Sequence, residues 1–192
     1  MHVDELIAGC KAGSRSHFSE LYETYAPVMY GICYRYSGSA EEAQDLLQEG
    51  FINVFMQLKS FDGSKGTFEG WMKRIFVHKA IDFFRKRTMA LNLYPLEVAV
   101  NDPDEEEDEE SHIDLSQTEL LEMIRELPVG YRTVLNLHVI EEKNHKEIAE
   151  LLVISESTSK TQFMKARKML QEKIKQFMGI DTRAKMKKRR VG

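Results

Sequence analysis

The sequence predicts an all-α protein, built as two small helical domains joined by a flexible acidic linker. Apolar residues recur every three or four positions through most of the chain, and no stretch shows the alternating pattern of a β-strand. The run NDPDEEEDEES at 101–111 has no hydrophobic residue and contains a proline, so it cannot bury enough surface to fold. We therefore predict an N-terminal domain over 1–89, a linker over 90–115, a C-terminal domain over 116–178 and a basic tail over 179–192.

The charges are segregated along the chain, although its 192 residues carry a net charge of only −4. Residues 97–114 hold ten acids and no lysine or arginine, so removing ten negative charges from −4 leaves +6 on the rest. A basic body of this kind indicates a polyanionic partner. Two cysteines are too few for a disulfide scaffold, and neither a secretory signal nor an apolar run of about 20 residues is visible. We predict a cytoplasmic protein without direct membrane insertion.

Three amphipathic helices are predicted in the N-terminal domain, at about 16–36, 40–58 and 68–87. Pro27 lies inside the first helix, and we expect it to kink or divide that helix. Ser39 is the predicted N-cap of the second, because Glu42 follows at the capping-box spacing. A polar loop with two glycines, at 62–67, leads into the third helix.

The C-terminal domain has the signature of a helix-turn-helix. Pro128 and Gly130 break the chain, and a helix is predicted over 131–139. Asn144 and Ser155 are predicted to cap two further helices, which only a short turn separates. The second of these carries many cations, which is typical of a helix that enters the major groove of DNA.

The last helix has two distinct faces by its 3.6-residue period. The face predicted to pack inward holds Ser159, Phe163, Ala166 and Leu170. The opposite face holds Lys160, Thr161, Met164, Lys165 and Lys168. Hydroxyls and cations on one helix face can donate to base edges and phosphates, so we predict contact with duplex DNA.

The third helix of the N-terminal domain combines basic charge with neighbouring aromatic residues. Its predicted polar stripe holds Arg74, His78, Asp82 and Arg85. Cations beside aromatic rings suit unstacked, single-stranded bases. The alternative is that Phe61, Phe68 and Trp71 are simply core residues, and for Trp71 we favour this alternative.

The segment DLLQEGF at 45–51 places acids and a glutamine beside large apolar residues. Taken alone, this is a generic amphipathic helix, although such a face can also dock another protein. The order in which this segment and two others occur along the chain is more informative. DLLQEGFINVF, then FDGSKGTFEGWMKRIFVHKAIDFFRKR, then LPVGYRTVLNLHVIEEKNHKEIAELLVISESTSKTQFMKARKML together resemble a bacterial RNA polymerase sigma factor of the sigma-70 family. The resemblance is to the short extracytoplasmic-function (ECF) type.

The resemblance implies three binding surfaces and their partners. Core RNA polymerase would be bound by Asp45, Leu46, Gln48, Glu49 and Phe51. The melted strand of the minus-ten promoter element would be held by the 62–67 loop and by Arg74, His78 and Arg85. The duplex minus-thirty-five element would be contacted by Lys160, Thr161, Met164 and Lys165. An anti-sigma factor is a further candidate partner.

The chain departs from the family pattern at several positions, among them His78 and Val153. His78 stands where the family usually has asparagine, which changes the groups offered to a base. Val153 stands where glycine is common in the helix-turn-helix turn. Because a β-branched residue resists positive φ, we expect this turn to be reshaped.

Two other classes of protein would explain part of this sequence. A helix-turn-helix regulator that acts as a dimer without core polymerase explains 116–178 equally well, but gives the basic, aromatic 61–88 segment no role. A metal-dependent nuclease could use the acidic cluster, but those acids are consecutive in a predicted linker. The six histidines lack ligand spacing and no glycine-rich phosphate loop occurs, so we predict no enzyme, no metal and no cofactor. The linker itself either mimics nucleic acid in a basic polymerase channel or serves only as a tether.

Overall fold

The computed structural model describes residues 3–90 and 115–179, and it is helical throughout those ranges apart from short turns. The prediction of an all-α protein is confirmed there. The chain separates into two compact units that divide between residues 93 and 94. Nearly all of the predicted linker, and the basic tail beyond 179, lie outside the described residues.

The N-terminal unit consists of four helices, α1 (Val3–Lys11), α2 (Arg15–Tyr36), α3 (Ala40–Gln57) and α4 (Phe68–Ala90). Two single 3-10 turns, Leu58–Ser60 and Gly63–Lys65, connect α3 to α4. Helices α2, α3 and α4 pack against one another, and α1 packs against α2. Their shared core contains Leu21, Met29, Tyr36, Val54, Met72 and Phe76, each almost completely buried.

Helix α2 runs unbroken through Pro27, so of the predicted kink or division the division does not occur. Proline lacks the N–H that would bond to the carbonyl four residues earlier, at Glu23. Both residues are exposed, and solvent can therefore satisfy the orphaned carbonyl. Packing of the rest of α2 on α3 and α4 holds the helix together.

Helices α3 and α4 approach closely at Gly50. A Cβ atom on Gly50 would lie 2.1 Å from the Phe76 ring, so only glycine fits there without a shift. The start of α3 agrees with the prediction, because the Ser39 hydroxyl accepts a hydrogen bond from the Glu42 backbone N–H at 3.1 Å. This packing fixes which faces of α3 and α4 remain open to solvent.

The C-terminal unit consists of α5 (Gln117–Arg125), α6 (Val129–Leu135), α7 (His145–Leu152) and α8 (Glu156–Phe177). A π-helical turn, Asn136–Ile140, continues α6 without a break. Helix α8 packs against α5, α6 and α7. The buried core of this unit holds Ile124, Leu127, Leu135 and Ala166.

Both predicted caps of the helix-turn-helix are confirmed. Asn144 and Glu147 form a reciprocal capping box, with backbone-to-side-chain bonds of 2.9 and 2.8 Å. The Ser155 hydroxyl accepts a hydrogen bond from the Thr158 N–H at 3.0 Å. These bonds define where α7 and α8 begin.

The turn between α7 and α8 is not reshaped, contrary to the prediction. Val153 itself adopts the left-handed conformation, with φ 56° and ψ 50°. The backbone N–H groups of Val153 and Ile154 both donate to the Ala149 carbonyl, and these bonds require this geometry. The Val153 side chain is 66% exposed, so its strain is not offset by burial.

Candidate protein and nucleic-acid interfaces

Helix α3 presents three of its five predicted polymerase-binding residues to solvent. Asp45, Gln48 and Glu49 are exposed on one face. Leu46 and Phe51 are only 4% and 3% exposed, which corrects the prediction that they contact a partner directly. They lie on the inward side of an amphipathic helix and position it against the core.

Two apolar residues extend this exposed face, and the sequence analysis missed them. Ile52 is 57% and Met56 is 75% exposed, and they follow Gln48 at four-residue steps along α3. We call the five side chains of this face the docking face: Asp45, Gln48, Glu49, Ile52 and Met56. Polar groups beside exposed apolar ones are typical of a protein-binding surface. The four-residue spacing was the available signal.

A cleft of about 540 Å³ lies between α3 and α4. We call it the α3–α4 cleft, and it is lined by Asn53, Gln57, Trp71, Arg74, Ile75, His78, Lys79 and Asp82. It brings together two of the predicted strand-binding residues, Arg74 and His78. The structure leaves Arg85 outside this lining, where its guanidinium lies 3.9 Å from the Asp82 carboxylate. Sequence reasoning missed Asn53, Gln57 and Lys79.

Trp71 is partly buried: it packs against the aromatic side chains of the core and also lines the α3–α4 cleft. Phe68 is a core residue at 5% exposure, and its ring stacks on Trp71 with centroids 5.6 Å apart. Phe61 completes the cluster at 5.4 Å from Trp71. The Phe61 and Phe68 rings therefore pack against the Trp71 indole, which also lines the cleft.

The 62–67 loop is exposed and is ordered by its own hydrogen bonds. The Asp62 carboxylate accepts bonds from the Ser64 hydroxyl at 2.8 Å and the Ser64 N–H at 3.0 Å. These bonds lower the pKa of Asp62, and Lys65 adds to the effect. Lys11 of α1 donates to the Phe61 carbonyl at 3.2 Å and so ties the loop to the helical core.

The docking face and the α3–α4 cleft are joined by one ion pair. The Lys79 ammonium donates to Glu49 Oε2 at 2.8 Å. The hydrogen bond from Lys79 lowers the pKa of Glu49, and the positive charges of Lys79 and Lys86 contribute further. Glu49 is therefore held as a carboxylate at neutral pH.

Helix α8 has the two faces that its period predicts. Ser159 and Ala166 are completely buried, and Phe163 and Leu170 are partly buried. On the opposite face Lys160 is exposed, and its ammonium lies 2.9 Å from the Glu156 carboxylate. The other predicted groove contacts, Thr161, Met164 and Lys165, are partly buried.

Two stacked histidines pack against the inward face of α8. The rings of His138 and His145 lie 4.5 Å apart and nearly parallel, and the Phe163 ring meets both edge-on. His145 Nδ1 is 3.0 Å from the Ser159 hydroxyl, and His138 Nδ1 is 2.8 Å from the Lys143 carbonyl. Burial lowers the pKa of His145, with smaller contributions from His138 and Lys160. His138 therefore serves as a packing residue between α6, α7 and α8.

Within 3–90 and 115–179, no three side chains of the metal-binding types cluster together. Over the same described residues, no helix is long and apolar enough to cross a bilayer.

Comparison with known proteins places this architecture in one family. Sigma-70 region 2 matches residues 21–89, and Sigma-70 region 4 matches residues 117–170. The chain is 32% identical to the ECF RNA polymerase sigma factor SigW of Bacillus subtilis, over 91% of this chain and 98% of that protein. It is 30% identical to the ECF sigma factor SigE of Mycolicibacterium smegmatis, over 81% of this chain and 60% of that protein's length. The chain belongs to the ECF sigma factors of the sigma-70 family.

Among solved structures, the sigma factor RpoE of Bartonella quintana in complex with the anti-sigma factor NepR is similar over 81% of this chain and 94% of that one. The sequence identity is 18% and the TM-score is 0.45.

Proposed function

We propose that this protein binds core RNA polymerase, directs it to specific promoters and helps to melt DNA for initiation. One observation carries this proposal: the three candidate binding surfaces follow one another along a chain that matches the sigma-70 family. A docking face and an aromatic, basic cleft lie on the region 2 unit, and a cationic helix-turn-helix forms the region 4 unit. Each surface supplies one step of initiation.

Polymerase binding is assigned to the docking face of α3. Asp45 and Glu49 supply negative charge, and Gln48 supplies both donors and acceptors of hydrogen bonds. The neighbouring Ile52 and Met56 offer apolar area that a partner can bury. This combination fits a basic, partly apolar surface on the polymerase.

Strand capture is assigned to the α3–α4 cleft with the 62–67 loop. Unstacking a base step costs a few kcal/mol. Stacking on an aromatic ring such as Trp71 contributes about 1–3 kcal/mol per base, and Arg74 can add backbone attraction. The cleft can therefore offset most of the cost of opening one step.

Recognition of the upstream duplex is assigned to α8 through Lys160, Thr161, Met164 and Lys165. The first turns of α8 carry hydroxyl and cationic groups on the face away from the buried Ser159 and Ala166, and these groups can donate hydrogen bonds to base edges and phosphates. The alternative, a dimeric regulator that acts without polymerase, leaves the cleft and the docking face without a role.

The remaining predictions about this protein belong to the same proposal. We expect it to have no catalytic activity of its own and to work in the cytoplasm beside the polymerase. An anti-sigma factor that covers one of these surfaces is its expected regulator.

In vitro transcription tests the proposed function. Core polymerase with and without the purified chain is incubated with fragmented DNA of the source genome, and the 5′ ends of the transcripts are sequenced. We expect transcripts that require the chain and share two conserved upstream elements. Transcripts that do not depend on the chain would contradict the proposal.

A further inference from the structure

The Glu49–Lys79 ion pair connects two surfaces that bind different partners. Glu49 lies on the docking face, where its side chain is 56% exposed. Lys79 lines the α3–α4 cleft, and its side chain is 23% exposed. This 2.8 Å hydrogen bond therefore pairs the Glu49 carboxylate, which is proposed to contact the polymerase, with the Lys79 ammonium, which lines the cleft proposed to bind the DNA strand.

We propose that this ion pair is a latch by which polymerase binding releases Lys79 for DNA. In the free protein Glu49 neutralises Lys79, so the cleft attracts the melted strand less strongly. A cation on the polymerase surface that engages Glu49 removes this neutralisation, and Lys79 becomes a phosphate contact. The inference rests on the proposed function, because it requires both surfaces to act as assigned above.

The electrostatics of the cleft explain why one lysine matters. Its lining holds two permanent cations, Arg74 and Lys79, and one acid, Asp82. Pairing with Glu49 removes about half of the positive charge that faces a strand. Lys86 also attracts Glu49, but it is exposed and does not line the cleft.

Thermodynamic linkage makes the latch reciprocal. If binding at Glu49 raises the affinity of the cleft for DNA, then a strand held by Lys79 raises the affinity of Glu49 for polymerase by the same factor. Because the pair is partly exposed, we expect this factor to be about two- to fivefold. Such a coupling would favour the state in which DNA occupies the cleft and the polymerase occupies the docking face at the same time.

The experiment measures single-strand binding by the free, full-length chain. A short fluorescein-labelled DNA strand of mixed sequence is titrated with wild type and Glu49→Gln, and its anisotropy is followed. Glu49→Gln keeps the side-chain shape and removes the charge. Glu41→Gln is the matched control, because Glu41 is an exposed acid of α3 two turns before Glu49.

We expect Glu49→Gln to bind the strand about two- to fivefold more tightly than Glu41→Gln does. The slope of log affinity against log salt should steepen by about 0.7, the value for one additional phosphate contact on a single strand. In a Lys79→Gln background, Glu49→Gln and Glu41→Gln should have equal effects. Equal effects in the wild-type background, or no measurable binding by any variant, would overturn the latch.

A parallel titration of wild type with core polymerase separates this inference from the proposed function. If wild type binds polymerase but Glu49→Gln behaves like Glu41→Gln toward the strand, only the latch fails. If wild type does not bind polymerase, the proposed function fails, and the latch fails with it. Circular dichroism of each variant verifies that it is folded.

Discussion

Val153 is the residue at which local backbone preference and the helix-turn-helix geometry disagree. Its left-handed conformation costs a β-branched residue on the order of 1–3 kcal/mol, and its exposed side chain recovers little. Val153→Gly should therefore stabilise the C-terminal unit by about 1 kcal/mol, after the extra entropy of glycine in the unfolded chain is subtracted. Hydrogen exchange of the α7 and α8 amides measures the gain.

Val153→Ala is the control for that prediction, since alanine also has a Cβ atom that resists positive φ. It should gain less protection than Val153→Gly does. Slower exchange in the alanine variant than in the glycine variant would show that backbone strain is not the cause.

His145 makes the stability of the C-terminal unit depend on pH. Its pKa is lowered in the folded state, so the unfolded chain binds the proton more readily, and stability rises with pH. The contribution is complete above about pH 6.5, the unfolded pKa, and is lost as pH falls toward the folded pKa. The groups that face His145 are His138, Lys160 and Glu156, and only Glu156 favours protonation.

Urea unfolding at several pH values tests this dependence. The unfolding midpoint of the C-terminal unit should fall as pH decreases through the range below about 6.5. In His145→Asn, whose amide can still bond to Ser159, this fall should be smaller. An identical pH profile in the variant would show that another group is responsible.

At the scale of elements, the contact between α3 and α4 decides whether the cleft forms. Gly50→Ala places a methyl group inside the Phe76 ring position and should cost at least about 1–3 kcal/mol. Gly31→Ala on α2 is the matched control, because nothing lies within 4 Å of its added Cβ. That control should stabilise the helix by up to about 1 kcal/mol.

Fluorescence of Trp71 reports both variants, because it is the only tryptophan and lies in the N-terminal unit. Thermal unfolding followed at this indole should occur at a lower temperature for Gly50→Ala and at an equal or higher temperature for Gly31→Ala. Equal midpoints for the two variants would mean that α3 and α4 are not in such close contact.

Helix α8 carries a prediction about DNA. Lys160→Ala combined with Lys165→Ala should weaken binding of the polymerase complex to promoter duplex and lower its salt slope by up to about 1.8, or 0.9 per phosphate contact. Binding to core polymerase should be unchanged. Loss of polymerase binding instead would mean that this face of α8 contacts the polymerase.

Across the whole molecule, helix type and capping could be predicted because they depend on local sequence. The caps at Ser39, Asn144 and Ser155 each follow from a side chain three residues from its backbone partner. Depth of burial depends on neighbouring helices, so it could not be predicted in the same way. Arg132 illustrates this, because it is 2% exposed and donates to the Leu127 carbonyl after α5.

The candidate sites follow the same division. The exposed polar residues of α3 and α4 could be predicted from period and resemblance. The burial of Leu46 depends on the neighbouring helices, and Trp71 lines a cleft that only the packing of α3 on α4 creates. The Glu49–Lys79 pair joins residues 30 positions apart, a distance at which sequence pattern carries no signal.

The central claim is that this chain binds core RNA polymerase through α3. Titration of core polymerase with the labelled chain, followed by fluorescence and size exclusion, tests it most directly. We predict a one-to-one complex that Asp45→Ala with Gln48→Ala weakens by about tenfold or more, as expected for an interface hot spot. Glu23→Ala with Thr24→Ala, an exposed pair on α2, should leave it unchanged. A folded wild-type chain that forms no complex would contradict the claim and favour a dimeric regulator.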